Sequence, residues 1–509
     1  MKKYYPYIII AIISLSSSCS SLLDVEAENT ISGNVLTDAE TIQKALTGCY
    51  YTFNGISDGT EGGELMGGDF IIIPELLARV SPNGAQEYAW QTILAPNSYR
   101  NFVNKEVIES NDRVATNWRK AFEVFNLLNN ILANVDVITD TNERNRIQGE
   151  ALAMRGILLF EMVVLWAPQY DATGVDPASD DAFPFTTEPI TDINEIPKLS
   201  SADIKTIDQI YDQAEADLSQ ASGLLESFGT NGTSLSYFAC QAYLAKLSLQ
   251  KGEFGDAEDY ADEVISSGEY SLASNSLLAF NNNSNSSEDI YAIQQTLANN
   301  VGDRSSGYGL TAYFSSLTES GIGVYRLFSP TFFNPNSWHN SPNFEAADLR
   351  GSIDLSVDEN TTSSQITTAY YKSVVDNFDE AVSTSKYTSS EHVLPIIRLA
   401  EMYLIRAEAN YTNLGDVLTP QALADLNAIR TRAGIAELTL ADFPDQAAFF
   451  DSLVVERTRE FMHEGMLLED LKRWGGFIGS AVTSASEYDP WDEEFVLPIP
   501  RSERDTWTD

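Results

Sequence analysis

The side chains that most often carry out enzymatic chemistry are sparse in this sequence. Its three histidines, His339, His392 and His463, are widely separated. The pair His463-Glu464 lacks the second histidine, four residues after the first, that a zinc protease needs. The sequence contains neither a Gly-x-Ser-x-Gly nucleophile elbow nor a glycine motif for phosphates or dinucleotides. We therefore expect a protein that is not an enzyme and that uses neither a cofactor nor a metal.

Acidic side chains are abundant, because 74 of the 509 residues are Asp or Glu. Glycoside hydrolysis uses two carboxyl groups about 5 to 10 Å apart in one cleft. A chain with this many acids offers such pairs by chance, so their abundance does not indicate catalysis. A secreted glycoside hydrolase stays open as an alternative, which two carboxylates in one cleft would favour.

Two irregular stretches combine aromatic rings with amide and charged side chains. The first comprises residues 87–91 (EYAWQ) and 97–100 (NSYR), and the second comprises residues 325–326 (YR) and 336–340 (NSWHN). Sugars present apolar C–H faces ringed by hydroxyl groups, so a carbohydrate site needs flat rings bordered by amides and carboxylates. These stretches favour a sugar-binding site, although each ring could instead pack beneath its own loop.

The charge of the chain limits its partners. With 31 basic and 74 acidic residues, the formal net charge is −43 at pH 7. Nucleic acid binding depends on Lys and Arg side chains that neutralise phosphates, so we exclude nucleic acid as a partner. The same charge disfavours adsorption to anionic lipid headgroups. It also disfavours highly anionic glycans unless a cation bridges them to the protein.

Residues 1–18 have the pattern of a signal peptide. Lys2 and Lys3 precede an apolar run over residues 7–15, which is too short to span a bilayer and gives way to three serines and Cys19. A cysteine at this position is where bacterial lipoproteins are acylated, so we predict that Cys19 is lipidated and holds the protein at a membrane. An ordinary cleaved secretory signal is the alternative.

The elements that would position the aromatic stretches are mostly helices. Apolar residues recur at three- and four-residue spacing over nine segments. Two of these regions contain Cys49 and Cys240, which we expect to be buried and not disulfide-bonded. The nine segments are 38–53, 115–136, 143–166, 203–225, 236–250, 255–267, 395–411, 419–433 and 446–474.

Several segments form pairs around short turns, most clearly 236–250 with 256–267, and 398–411 with 420–432. Small residues such as Ala242 let two helices approach closely, a pattern typical of tetratricopeptide-type hairpins. We therefore predict a mainly α fold built on a scaffold of helical hairpins.

Between about residues 270 and 390 the composition changes to Ser, Thr, Gly and Asn, with short β-prone runs at 289–293 and 367–371. This region is interpreted as a loop-rich insert on the helical scaffold, where binding residues concentrate. We expect residues 19–509 to form a single domain with an amino-terminal part, about 24–230, and a carboxyl-terminal part, about 236–509.

A series of motifs runs along the chain, beginning at Leu23-Asp24-Val25. Those that follow are 149–156 (GEALAMRG), 397–404 (IRLAEMYL), 427–435 (NAIRTRAGI), 456–465 (ERTREFMHEG), 470–475 (DLKRWG) and 497–503 (LPIPRSE). In the same order, these motifs resemble those of the SusD/RagB family of cell-surface nutrient-binding proteins. The resemblance covers nearly the whole chain after residue 19 and is most specific after residue 395. The sequence departs from the family at Leu467-Leu468, where a bulkier and more polar pair is usual.

The resemblance implies a SusD-like fold and a function at the outer membrane. It implies a lipid-anchored, cell-surface protein that binds an oligosaccharide and acts as the lid of a SusC-like TonB-dependent outer-membrane importer. Capture of an oligopeptide, as in RagB-like members, is the alternative within the family. The ligand site of the family is drawn from an amino-terminal loop and the central insert. The positions onto which the resemblance carries this site are Tyr88, Trp90, Asn97, Tyr99, Tyr325 and Trp338.

The charged residues of the carboxyl-terminal motifs are interpreted as structural. Arg457, Arg459, Glu460 and Lys472 alternate with apolar residues at helical spacing. Charges placed between core positions usually orient packed helices. We therefore predict that these side chains pair with neighbouring helices and do not bind the ligand.

Overall fold

The fold consists chiefly of packed α-helices, as the sequence predicts. The computed structural model describes residues 36–56, 62–78, 97–191, 203–230, 232–302, 309–314, 317–318, 321–322, 345, 347–357, 370–375, 378–482 and 493–507. The helices before the insert are α1 (Ala39–Phe53), α2 (Asp69–Leu77), α3 (Asn97–Asn104), α4 (Asp112–Asn134), α5 (Thr141–Trp166), α6 (Ile207–Leu225), α7 (Tyr237–Lys251) and α8 (Phe254–Ser266).

The strands lie mostly in and around the insert. A short antiparallel pair, β1 (Asp181–Pro184) and β2 (Ile204–Thr206), precedes α6. The insert contains α9 (Leu310–Tyr313) and strands that end in a three-stranded sheet of order β6-β7-β8. The strands are β3 (Asp289–Ile293), β4 (Leu317–Thr318), β5 (Gly321–Ile322), β6 (Gly351–Val357), β7 (Tyr370–Val375), β8 (Phe378–Thr384) and β9 (Leu394–Arg398).

The carboxyl-terminal helices follow directly from β9. They are α10 (Leu399–Asn413), α11 (Pro420–Arg432), α12 (Gln446–Phe461), α13 (Leu467–Val482) and α14 (Arg501–Arg504). Strand β3 pairs antiparallel with β9, with Asp289 opposite Arg398 and Ile293 opposite Leu394. This pairing brings together the two chain segments that border most of the insert.

Local sequence signals explain where the helices begin. The Asp38 carboxylate accepts a hydrogen bond from the Thr41 amide at the start of α1, and Asp140 does the same for α5. Thr206 and Gln209 form a reciprocal capping box at α6. These side chains satisfy amide groups that have no partner within the first helical turn.

The predicted helical hairpins are confirmed as pairs of packed helices. Helix α7 packs against α8, and α10 packs against both α8 and α11. Gly252 ends α7 in the left-handed conformation, with φ of +77°. Whether these pairs are tetratricopeptide repeats in the strict sense stays a prediction.

Four features differ from the sequence prediction. Helix α2 was not predicted, because the apolar run 69–77 has no helical periodicity to distinguish it from a strand. Helix α3 was not predicted either, because residues 97–100, which were interpreted as irregular, form its first turn. Residues 394–398 form a strand and not the start of a helix. The predicted segment 446–474 is two helices, α12 and α13, separated by a turn at residues 462–466.

The turn at residues 462–466 is required by a close contact with α2. His463 and Gly465 have φ values of +67° and +89°. A Cβ atom on Gly465 would lie 2.9 Å from the Ile71 Cα and 3.0 Å from the Phe70 carbonyl oxygen. Only glycine fits a backbone approach this close at this φ.

The hydrophobic core runs through both ends of the described chain. Cys49 and Cys240 are buried in it as free thiols, as predicted, and burial raises the pKa of each. A second cluster of buried side chains, centred on Leu404, Leu426 and Phe449, lies among α10, α11 and α12. Within the described residues, no helix is both long enough and apolar enough to cross a bilayer.

Replacing Gly465 with Ala should destabilise the protein by about 2 to 4 kcal/mol, because the new Cβ overlaps α2 and the backbone conformation is strained. Gly415→Ala is the matched control, since Gly415 has φ of +77° but nothing within 4 Å of the added Cβ. The control should cost about 1 kcal/mol, from backbone strain alone. Urea unfolding of both variants measures the difference, and equal losses would refute the close contact.

Candidate functional site

The predicted ligand residues fall mostly in parts of the chain that the structure does not describe. Tyr88, Trp90, Tyr325 and Trp338 lie outside the described residues, as does Cys19. Asn97 begins α3. The described residues that flank the two aromatic stretches fix where each stretch leaves the helical scaffold.

Tyr99 lies in the interior. Its side chain is only 1% exposed, and its hydroxyl donates a hydrogen bond of 2.6 Å to Asp69 Oδ1. Its ring contacts the edge of Phe102 and lies 5.6 Å from the Arg113 guanidinium. A ring held in this way has no free face for a sugar, so this placement favours a structural role for Tyr99, and we do not carry it into the proposed site.

Asp69 is the centre of a buried polar cluster that the sequence analysis missed. Its Oδ2 accepts hydrogen bonds from Arg113 Nε at 2.8 Å and from Asn117 Nδ2 at 2.5 Å. Burial alone would lower the pKa of Arg113, but Asp69 and Tyr99 raise it well above the usual value. Burial also raises the pKa of Glu64, the second carboxylate near Arg113. The sequence did contain an indication of this cluster, because Asp69 directly precedes a run of apolar residues. An acid at the start of a buried segment needs a buried partner.

The Asp69 cluster fixes both ends of the chain segment that carries Tyr88 and Trp90. Asp69 begins α2, which ends just before residues 79–96, and Tyr99 lies in α3, which follows them. Arg113 and Asn117 belong to α4 and provide the common support. The segment that carries Tyr88 and Trp90 therefore starts and ends on one rigid group of helices.

A second buried cluster anchors the insert. Arg350, which is fully buried, forms ion pairs with Asp348 at 2.8 Å and with Glu456 of α12 at 2.6 Å. Arg430 of α11 joins Glu456 at 3.2 Å and Glu345 at 3.0 Å. These contacts fix the chain on the carboxyl-terminal side of Tyr325 and Trp338.

Glu460 of α12 is a second carboxylate of this cluster that pairs with three arginines. Its Oε1 lies 2.7 Å from Arg398 Nη1 and 2.6 Å from Arg432 Nη2. Burial would raise the pKa of Glu460, but Arg432, Arg398 and Arg350 together hold it well below its usual range. Arg398 and Arg432 also share Glu288, at 3.1 and 2.8 Å. Helices α11 and α12 are thereby joined to both sides of the β3-β9 pair.

The predicted pairing with neighbouring helices is confirmed for Arg457 and Glu460, whereas Arg459 pairs with Glu456 of its own helix and with Glu345 of the insert. Arg457 pairs with Asp470 at 2.8 Å, and Asp470 pairs with Arg473 at 2.7 Å. Arg473 in turn reaches Glu408 of α10 at 2.7 Å. All four side chains are nearly fully buried. These charges orient α10, α12 and α13 relative to one another.

Lys472 departs from the prediction in the kind of partner it has. Its Nζ donates hydrogen bonds to the Val164 and Ala167 carbonyl oxygens, at 2.7 and 3.1 Å. Burial lowers its pKa to about 7. Lys472 therefore caps the carboxyl end of α5, where carbonyl groups have no partner within the helix.

Helix α2 and the insert both contact the turn that follows α12. The Gly465 amide donates a hydrogen bond of 3.2 Å to Glu75 of α2. On the insert side, the Tyr387 hydroxyl donates to the His463 carbonyl oxygen at 2.7 Å, and the Phe314 ring lies 4.8 Å from the His463 ring. The described ends of the amino-terminal stretch and of the insert therefore lie against the same five-residue turn.

A third buried cluster lies deeper, between α5, α7, α10 and α13. Lys246 of α7 lies 3.3 Å from both Glu401 and Glu469. Burial raises the pKa of Glu161 to about 7; Lys246 opposes this shift, while Glu469 and Glu401 add to it. Because Glu161 has a folded pKa above its usual value of 4.5, the fold favours its protonated form, and it opposes folding increasingly as pH rises from about 4.5 to about 7.

Glu161→Gln should therefore stabilise the protein by about 2 kcal/mol at pH 8 and change little at pH 4.5. The Glu161 side chain is only partly buried, so solvent screening reduces the effect below that of the full pKa shift. Urea unfolding at both pH values measures the free energy of unfolding. Glu269→Gln, at an exposed position, is the control and should have little effect. A stabilisation of the Glu161 variant that is the same at both pH values would contradict the predicted protonation.

Comparisons with known proteins agree with this architecture. A profile of the SusD family matches residues 258–495, and a profile described as "Starch-binding associating with outer membrane" matches residues 79–249. SusD-like protein P2 of Formosa agariphila is 24% identical over 436 residues, which cover 78% of this chain and 79% of that protein. The starch-binding protein SusD of Bacteroides thetaiotaomicron is 36% identical over 96 residues, 19% of this chain and 15% of that protein.

Solved structures share the fold over almost the whole chain. A SusD superfamily protein from Bacteroides thetaiotaomicron has a TM-score of 0.71 at 24% identity, covering 92% of this chain and 98% of that chain. A SusD-like carbohydrate-binding protein from Bacteroides vulgatus has a TM-score of 0.68 at 18% identity, covering 92% and 96%.

The two profiles describe a family of carbohydrate-binding proteins, one of them as starch-binding and associated with the outer membrane. The chain belongs to the SusD/RagB family.

Proposed function

We propose that this protein captures an oligosaccharide at the cell surface and acts as the lid of a SusC-like TonB-dependent importer in the outer membrane. The observation that carries the proposal is the shared support of the two ligand stretches. Helix α2, which begins at Asp69, contacts the turn after α12 through the hydrogen bond between Glu75 and Gly465. Helix α12 also carries Glu456 and Glu460 of the second cluster, so the described ends of both aromatic stretches rest on one group of helices. Binding loops held by a rigid scaffold lose less conformational freedom when a ligand binds.

The ligand class is argued from composition and family. The stretches carry Tyr88, Trp90, Tyr325 and Trp338 beside amide side chains, which suits stacking on sugar rings. One relative is named for starch binding, and one neighbour in structure is described as carbohydrate-binding. In this proposal the protein binds the glycan without cleaving it. The net charge of −43 favours a neutral glycan over an anionic one.

Trp90→Ala and Trp338→Ala should each weaken glycan binding by about 1 to 3 kcal/mol, the usual scale for loss of an aromatic anchor. Thermal stability should stay close to that of the parent protein, because both residues lie among polar residues in the sequence. Calorimetric titration with a panel of neutral oligosaccharides, beside a melting curve for each variant, measures both. The oligosaccharides should be recovered intact after the titration.

Trp507→Ala is the matched control, since Trp507 is a partly exposed tryptophan beside α14. It should leave binding unchanged. Normal binding by both loop variants, or weaker binding explained by early melting, would contradict the assignment. Binding of peptides only would support the RagB-like alternative. Release of reducing ends, abolished by one carboxylate substitution, would make the protein a glycoside hydrolase.

Attachment to the membrane is proposed to occur through acyl chains on Cys19. Each buried methylene contributes about 0.8 kcal/mol, so several chains on one residue give durable attachment. Mass spectrometry of the amino-terminal peptide from extracted membranes should find acyl mass on Cys19. Cys19→Ser should release the protein from the membrane fraction or leave its leader uncleaved. An unmodified amino terminus, with the parent protein in the medium, would refute lipidation.

A further inference from the structure

A groove lies along one face of α4, and its lining includes none of the residues predicted to bind the ligand. Its volume is about 470 Å³, within the range of small-molecule sites. One wall is the face of α4 that carries Trp118, Phe122 and Phe125, and the other wall is the irregular segment 185–190. Ser502 and Glu503 of α14 also line it.

The floor of the groove is aromatic. Phe122 stacks on Trp118 with ring centroids 4.8 Å apart and an interplanar angle of 28°. Phe125 contacts the edge of Phe122 at 5.7 Å and the edge of Phe185 at 5.1 Å. Phe122 is only half-buried, whereas Trp118 is 3% exposed. A flat ring is therefore held at the surface by other rings beneath and beside it, which is what stacking of a sugar requires.

The rim offers hydrogen-bond donors and acceptors but little positive charge. Arg119 and Glu123 form a half-exposed ion pair of 2.8 Å. Glu188 and Glu503 add two further carboxylates. The charges on the rim sum to a negative value, which disfavours an anionic polymer, while paired guanidinium and carboxylate groups suit the hydroxyls of a neutral sugar.

The second wall is a poor partner for a peptide. Asn126 exchanges two hydrogen bonds with the Ile190 backbone, at 2.8 and 3.1 Å. Asn129 donates to the Thr186 carbonyl oxygen at 2.8 Å. These backbone groups already have hydrogen-bond partners, and Pro189 has no N–H to donate. Strand addition, the usual way to bind an extended peptide, therefore has few backbone groups available here.

We propose that this groove is a second binding site, for one or two rings of a neutral oligosaccharide. The inference rests on the proposed function and extends it, because a second site would let the protein hold a longer chain or two parts of a branched one. The sugar would stack its C–H face on Phe122 and place its hydroxyls against Arg119 and Glu123.

Fluorine NMR of protein labelled with 5-fluorotryptophan tests this site separately from the first. The chain has seven tryptophans, and Trp→Phe substitutions at 90, 118 and 338 identify three resonances. Maltohexaose, cellohexaose, laminarihexaose and xylohexaose would be added at about 10 mM, well above the dissociation constants of weak sites. We expect at least one of them to shift the Trp118 resonance.

Two variants test the contacts. Phe122→Leu should weaken the binding reported by Trp118 at least about tenfold, and Phe443→Leu, at another half-buried ring, should not. Since Phe122→Leu could disturb the core, Arg119→Ala combined with Glu123→Ala changes only half-exposed rim residues and should also weaken the binding.

The outcomes separate the two proposals. Shifts of the Trp90 or Trp338 resonances, with none for Trp118, would overturn the second site and leave the proposed function standing. A Trp118 shift that survives both the Phe122 and the rim variants would overturn it as well. A shift caused only by a phenylalanine-containing hexapeptide would replace sugar with peptide as the occupant. No shift of any tryptophan by any oligosaccharide would count against both proposals.

Discussion

Glu460 is held between three guanidinium groups in the interior, and the relative positions of α11, α12 and the insert depend on that arrangement. A buried carboxylate is costly unless its partners surround it closely. Arg398 and Arg432 supply that charge at 2.7 and 2.6 Å, and both also reach Glu288 just before β3. Removing one of these charged side chains would leave the remaining charges buried without a partner of opposite sign. The cluster therefore stabilises one arrangement of α11, α12 and the insert over others.

Much of this scaffold could be predicted from the sequence. Helical periodicity located α1 and α4 to α8 within a few residues, because their apolar faces pack on one core. The alternation of charges with apolar residues around Arg457 correctly indicated structural ion pairs. The β-prone run at 289–293 correctly indicated strand β3. These features depend on residues that lie near one another in the chain.

Features set by distant contacts could not be predicted. The break between α12 and α13 exists because Gly465 meets α2 almost 400 residues earlier in the chain, and nothing within 446–474 reveals that neighbour. Tyr99 stood among polar residues as a ligand candidate would, yet Asp69, thirty residues away, holds its hydroxyl in the interior. The aromatic groove on α4 was missed because its second wall is supplied by residues 185–190, beyond the helix itself.

Burial distributes the charge of this protein unevenly. Among the described residues, thirteen basic and fifteen acidic side chains are buried, which is nearly balanced. The whole chain, with 31 basic and 74 acidic residues, is far from balanced. Almost all of the net negative charge therefore belongs to residues outside this buried set, because so many cations are used in the interior. Two copies of the protein should repel each other at short range, within about 8 Å at physiological salt. Crowded copies would then stay apart without any dedicated contact, and monovalent salt would set how closely they can approach.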